Sequence, residues 1–205
     1  MLLSRHKQPY GNQDTNSLNP GWFGTPDQPG YFYPYPAAQI PYTTMQQLPR
    51  KEDINVYDSL DERSAVKEFH GKTREQIFAE LTDGYQHLQE SLAFMGPVGF
   101  AYYAPAWERL FTHFEEAEEL EEIARWTKCI ISIRCISLDS ETPEAIAALH
   151  RMLGLCEEFY HSENALNYYV EEARLYGYAK SLLARPPDLQ DELEECARLR
   201  KKLTI

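Results

Sequence analysis

The chain has 205 residues, 43% of them hydrophobic and 13% aromatic, with 20 Lys and Arg against 32 Asp and Glu and a formal net charge of −12. That is apolar enough for one domain with its own core and too apolar for a disordered polymer. The acidity argues against nucleic acid as a partner, since phosphate recognition needs a basic face, and the most apolar stretch, Ile123 to Leu138, carries Arg125, Lys128 and Arg134, so no membrane span is expected.

The first residues, Met1-Leu2-Leu3-Ser4-Arg5-His6-Lys7, place apolar side chains before charges, the reverse of a secretory signal, so a cytoplasmic location is expected. Gln8 to Pro49 is crowded with Pro, Gly, Asn, Gln and Tyr, as in Pro29-Gly30-Tyr31-Phe32-Tyr33-Pro34-Tyr35-Pro36. Proline interrupts both helix and sheet ladders, so residues 1–55 read as an irregular N-terminal arm and 56–205 as an acidic helical domain. The arm is either a linker or a docking segment. Its aromatics favour docking, with Trp22, Tyr31, Phe32 and Tyr35 as the contact residues. Arg5, Lys7, Arg50 and Lys51 balance four acids up to Asn55, which leaves the whole surplus of twelve negative charges to the helical part. A protein partner, basic in character, is the natural counterpart.

After Arg50 the spacing becomes helical. Thr73 and Gln76 form a capping box, and Ile77, Leu81, Tyr85, Leu88, Leu92 and Met95 then share one face of a single helix whose weak point is Gly84. The stretch Phe94-Met95-Gly96-Pro97-Val98-Gly99-Phe100 reads as a helix stop and a compact turn, with Phe94, Phe100, Tyr102 and Tyr103 plugging the core beside it. Pro105 suits a first helical position, followed by the stripe Trp107, Leu110, Phe111, Phe114, Ala117 and Leu120. Ile130, Ile131, Ile133 and Ile136 fit either a buried helix or a strand, and helix is the choice made for 126–138. Thr142-Pro143 starts a helix through Ile146, Leu149, Leu153, Cys156 and Phe159. Ser162 caps another through Leu166, Tyr169, Val170, Ala173, Tyr176 and Leu183, and Asp188 the last, with Leu189, Leu193, Cys196, Leu199 and Leu203 inward. The sum is an all-α bundle of five or six mostly antiparallel helices.

Chemistry-bearing motifs are sparse. The chain has no phosphate-binding glycine loop, zinc-protease pair or esterase elbow. Cys129, Cys135, Cys156 and Cys196 form no Cys-x-x-Cys pair and read as buried thiols. Glu158 and His161 have the i, i+3 spacing of a di-iron ligand pair, but a solvated helix end explains them more simply, and no cofactor is expected. The run Glu115, Glu116, Glu118, Glu119, Glu121 and Glu122 is either a binding face for a basic partner or the wet side of an amphipathic helix. Its like charges at i, i+3 and i, i+4, as in Glu115 with Glu118 and Glu119 and those two with Glu122, cost local stability without a compensating partner.

The stretch from Leu92 to Ala106, with Leu92, Phe94, Pro97, Gly99, Phe100, Tyr102, Tyr103, Pro105 and Ala106 at set spacing, resembles the signature of an uncharacterised bacterial domain-of-unknown-function family, and weaker similarity runs from about residue 69 to 159. The resemblance implies a helical domain with this turn as a structural landmark, and no activity. The leading expectation is therefore a non-enzymatic acidic helical interaction module of inhibitor, immunity or adaptor type. It would use the aromatic arm, the face of Glu115, Glu118, Glu119 and Glu122, or both. One alternative is a ligand- or metal-binding helical enzyme with a cleft floored by Tyr102, Tyr103 and Trp107. A second is an assembly component whose arm docks on a neighbouring subunit.

Overall fold

The computed structural model describes residues 47–84, 87–176 and 186–204. The described residues all belong to one compact unit. In chain order they form α1 (Lys51–Ile54), α2 (Leu60–Phe69), α3 (Arg74–Gly84), α4 (Gln89–Phe94), α5 (Pro97–Glu108), α6 (Leu110–His113), α7 (Ala117–Arg134), a 3-10 segment (Cys135–Ser140), α8 (Pro143–Tyr160), α9 (Glu163–Leu175) and α10 (Pro187–Leu203). Among the described residues there is no strand, and the domain is all-α. No helix among them is long and apolar enough to cross a membrane.

The helices begin where local chemistry says they should. The amides of Thr73 and Gln76 are each satisfied by the other's side chain, at 2.8 and 3.2 Å. Thr142 caps α8 by accepting from the Ala145 amide with Pro143 in the first turn, and Ser162 caps α9 by accepting from Ala165. A further box opens α2, where the Glu62 amide donates to Ser59 Oγ. The Glu62 carboxylate in turn accepts from the amides of Val56, Tyr57 and Ser59. α10 differs: Pro186 holds the cap position, Pro187 the first turn, and Asp188 lies inside the helix rather than capping it.

Burial decides the arrangement. α5 is apolar on every side, and a helix without a polar face has to be enclosed. It packs against α1, α3 and α8, with α4 and α6 at its ends, and buries Phe100, Tyr103 and Trp107 completely. α8 is the second hub, touching α5, α7, α9 and α10, and contributes Leu149, Met152, Leu153 and Tyr160 to the same core. Each such fully buried aliphatic or phenylalanine side chain contributes roughly 1.5–3 kcal/mol. α1 lies on the arm side of the boundary drawn at residue 55, yet its Ile54 is fully buried and packs on α5.

Several expected continuities are broken. The single helix read from Thr73 to Met95 is two, since α3 spans Arg74–Gly84, with a poor helix former as its last described residue, and α4 starts only at Gln89. Pro105 sits inside α5, where it supplies no N–H, rather than opening a helix. The stripe from Trp107 to Leu120 is shared by α5, α6 and α7, because Phe114 and Glu116 adopt extended backbone. Helix was the right choice through Arg134, but Ile136 lies in the 3-10 segment and is 83% exposed. Tyr176 is also exposed, as is Cys129, whereas Cys156 and Cys196 are buried as read. Leu183 falls outside the described residues.

Candidate functional site

The corner between α4 and α5 is a structural joint. The Gly96 N–H donates to the Ile54 carbonyl at 2.7 Å, and a Cβ on Gly96 would stand 2.5 Å from the Asp53 oxygen and 2.6 Å from Val56 Cγ2. Only glycine lets α1 lie that close. From α7 the buried Arg134 reaches the same corner. Its Nη1 donates to the carbonyls of Ala93 and Met95 at 3.0 and 2.9 Å, and its Nη2 pairs with Glu141 at 2.7 Å. Its guanidinium also lies 4.0 Å from the Phe100 ring centroid. The last carbonyls of α4, which the helix itself cannot satisfy, are thus satisfied from another helix. Phe94, expected to plug this core, is 42% exposed.

Tyr102, Tyr103 and Trp107 are committed to the interior. The Tyr103 hydroxyl proton is shared between the carbonyls of Phe69 and Lys72, at 2.7 and 2.9 Å, and burial pushes the phenol well above its ordinary range. Trp107 Nε1–H donates to Thr127 Oγ1 at 2.8 Å, and the Thr127 hydroxyl donates to the Ile123 carbonyl at 2.7 Å. Tyr102 is 6% exposed, its ring edge-on to Tyr103 and covered by the Arg74 guanidinium. Tyr103 and Trp107, two of the three residues expected to floor a ligand cleft, are fully buried. The polar ends of Tyr103 and Trp107 are used inside the protein, where they tie α5 to the α2–α3 turn and to α7.

Glu158 and His161 are both exposed at the end of α8, where His161 is the C-terminal cap residue. Among the described residues no three potential metal ligands come together. The arm residues Trp22, Tyr31, Phe32 and Tyr35 lie outside the described residues.

The acidic run forms a corner rather than one continuous face. Glu115 precedes α7, Glu116 is its cap position, and Glu118 and Glu119 occupy its first turn. The positive end of the helix macrodipole, roughly half an elementary charge, offsets the like-charge cost read from the sequence. Glu115, Glu116 and Glu118 are exposed and Glu119 is half-buried, and none of the four makes an ion pair among the described residues. Glu122 differs, with Arg125 at 3.9 Å and the Trp126 indole at 3.5 Å. Glu121 accepts from the Tyr169 hydroxyl at 3.4 Å, and burial raises its carboxyl above the usual range.

Beside this corner is an aromatic rim that sequence reading missed. The His113 ring packs edge-on against Phe78 at 5.5 Å and Phe114 at 5.0 Å, and the exposed Arg109 guanidinium lies 3.7 Å from the Phe78 centroid. Phe78 arrives from α3, far away in the chain, so no local pattern could have joined it to the glutamates. Carboxylates beside aromatic faces are an environment suited to Lys and Arg side chains.

Elsewhere, ionic groups serve packing. Lys128, 3% exposed, pairs with both Glu192 and Glu195 of α10 and faces the Tyr160 ring. Arg200 forms a two-point pair with Glu157 and lies 3.3 Å from His150 Nδ1. Burial, then the adjacent Arg200 charge, lowers the His150 pKa, so the ring is held neutral. Glu108 receives three hydrogen bonds from Arg151, yet burial still raises its carboxyl. The chain matches no protein-family model, no curated protein and no solved structure.

Proposed function

We propose that the protein is a non-enzymatic interaction module that binds a basic protein partner, as an inhibitor, immunity protein or adaptor would. The observation that supports this reading is the α6–α7 corner, where Glu115, Glu116, Glu118 and Glu119 have no ion-pair partner among the described residues and stand beside the His113–Phe78–Phe114 rim. Exposed acids normally count for little singly, but several in one place next to aromatic faces favour and orient a cationic surface. In this reading Glu122 extends the contact along α7, and Trp22, Tyr31, Phe32 and Tyr35 of the arm add a second one.

Affinity capture with the full chain, a version lacking residues 1–50, and a Glu115→Lys/Glu118→Lys variant tests the proposal. A basic protein retained by the wild type and lost on charge reversal, with binding restored by lowering the salt for milder Glu→Gln versions, is the expected result. A partner held equally well by the charge-reversed protein overturns the assignment to this corner, and turnover of a small substrate by the purified chain overturns the non-enzymatic reading.

A further inference from the structure

α10 has two faces of different kinds. Inward it buries Leu189, Cys196, Leu199 and Leu203 and sends Glu192, Glu195 and Arg200 to partners on α7 and α8. Outward, Asp191, Glu194, Ala197, Arg198 and Lys201 are all exposed and line one shallow groove. None of these four charged side chains makes an ion pair among the described residues. Along the helix the order is two acids, then the smallest side chain of the face, then two bases.

That order complements itself when reversed. In one antiparallel register, Asp191 of one copy stands opposite Lys201 of the other and Glu194 opposite Arg198, and a two-fold axis repeats each pair. Ala197 beside the axis permits close helix approach, and antiparallel helices oppose their dipoles favourably. We infer that this face pairs with the same face of a second copy of the chain, forming an isologous dimer through α10. Exposed ion pairs are individually weak and screened by salt, so the dimer is reversible and dissociates as ionic strength rises.

Sedimentation velocity of the full chain at low and high salt, over a wide concentration range, provides the test. The wild type should show a concentration-dependent dimer at low salt that is lost at high salt. Glu194→Arg and Arg198→Glu each bring like charges together in the register and should be monomeric, with unchanged helical circular dichroism. Mixing these two single variants should restore a dimer, because every Arg then faces a Glu, and the double variant Glu194→Arg/Arg198→Glu should dimerise alone. A wild type that stays monomeric at low salt overturns the inference. So do single variants that dimerise like the wild type, or a mixture that fails to recover the dimer.

Discussion

Arg134→Met removes a buried cation that holds three parts of the chain together. The guanidinium is bonded to two carbonyls at the end of α4 and to Glu141, whose side chain is 7% exposed. Methionine roughly fills the volume, so the loss is electrostatic: a carboxylate left buried without its partner and two carbonyls left without donors. Breaking a buried pair from one side costs about 3–5 kcal/mol, a large share of the ~5–15 kcal/mol by which a domain of this size is stable. With a urea dependence of ~2 kcal/mol per molar, a loss of ~4 kcal/mol lowers the unfolding midpoint by about 2 M. Urea unfolding followed by circular dichroism and tryptophan fluorescence measures the shift. Glu141→Gln removes the stranded charge, so Arg134→Met/Glu141→Gln should be more stable than the two single effects added together, by at least ~1 kcal/mol. A single-variant cost below about 1 kcal/mol, or additivity within ~0.5 kcal/mol, refutes the staple.

Gly96→Ala should destabilise the domain by about 2–3 kcal/mol, the burial of a side chain such as Ile54, because the new Cβ would meet the Asp53 oxygen at 2.5 Å and force α1 off. Hydrogen exchange should show the amides of residues 51–55 losing protection first. Glu62→Gln should cost about 2 kcal/mol at neutral pH, since three amides lose a charged acceptor. For Glu62, burial alone would raise the carboxyl, but the hydrogen bonds from Ser59, Tyr57 and Val56 outweigh it and the pKa is lowered. Its contribution is therefore present above the unfolded carboxylate pKa and lost as pH falls through the folded one, so the variant's stability should decline less on acidification. His150 has the opposite chemistry with the same sign in pH: its folded pKa is depressed, first by burial and then by Arg200. Stability from keeping it neutral is complete above the unfolded value of about 6.5 and is lost as pH falls below it. His150→Gln should flatten denaturant midpoints between neutral and mildly acidic pH, and an unchanged slope would contradict the Arg200–His150 contact.

Local chemistry explains why some of this was readable. Thr73 with Gln76, Thr142 with Pro143, and Ser162 each satisfy backbone groups within one turn, so a few adjacent letters suffice to place the helix start. The Asp188 cap failed because two prolines before it already set the backbone, and a local rule competed with a stronger one. The acidic run was legible as composition, but its position at the mouth of α7, where the dipole tolerates it, depended on the break at Phe114 and Glu116.

The sequence by itself determined that the domain is helical, that its acidity lies from Val56 onward, and that the segment of α8 has an apolar face to bury. Apolar spacing and capping are properties of neighbours in the chain. Tertiary structure alone decided that Tyr103 and Trp107 spend their polar ends on the Phe69 and Lys72 carbonyls and on Thr127, that Arg134 closes α4, and that Phe78 joins His113 beside the glutamates. Those contacts join residues tens of positions apart, and no spacing rule encodes which distant partner a buried donor or an exposed ring will meet.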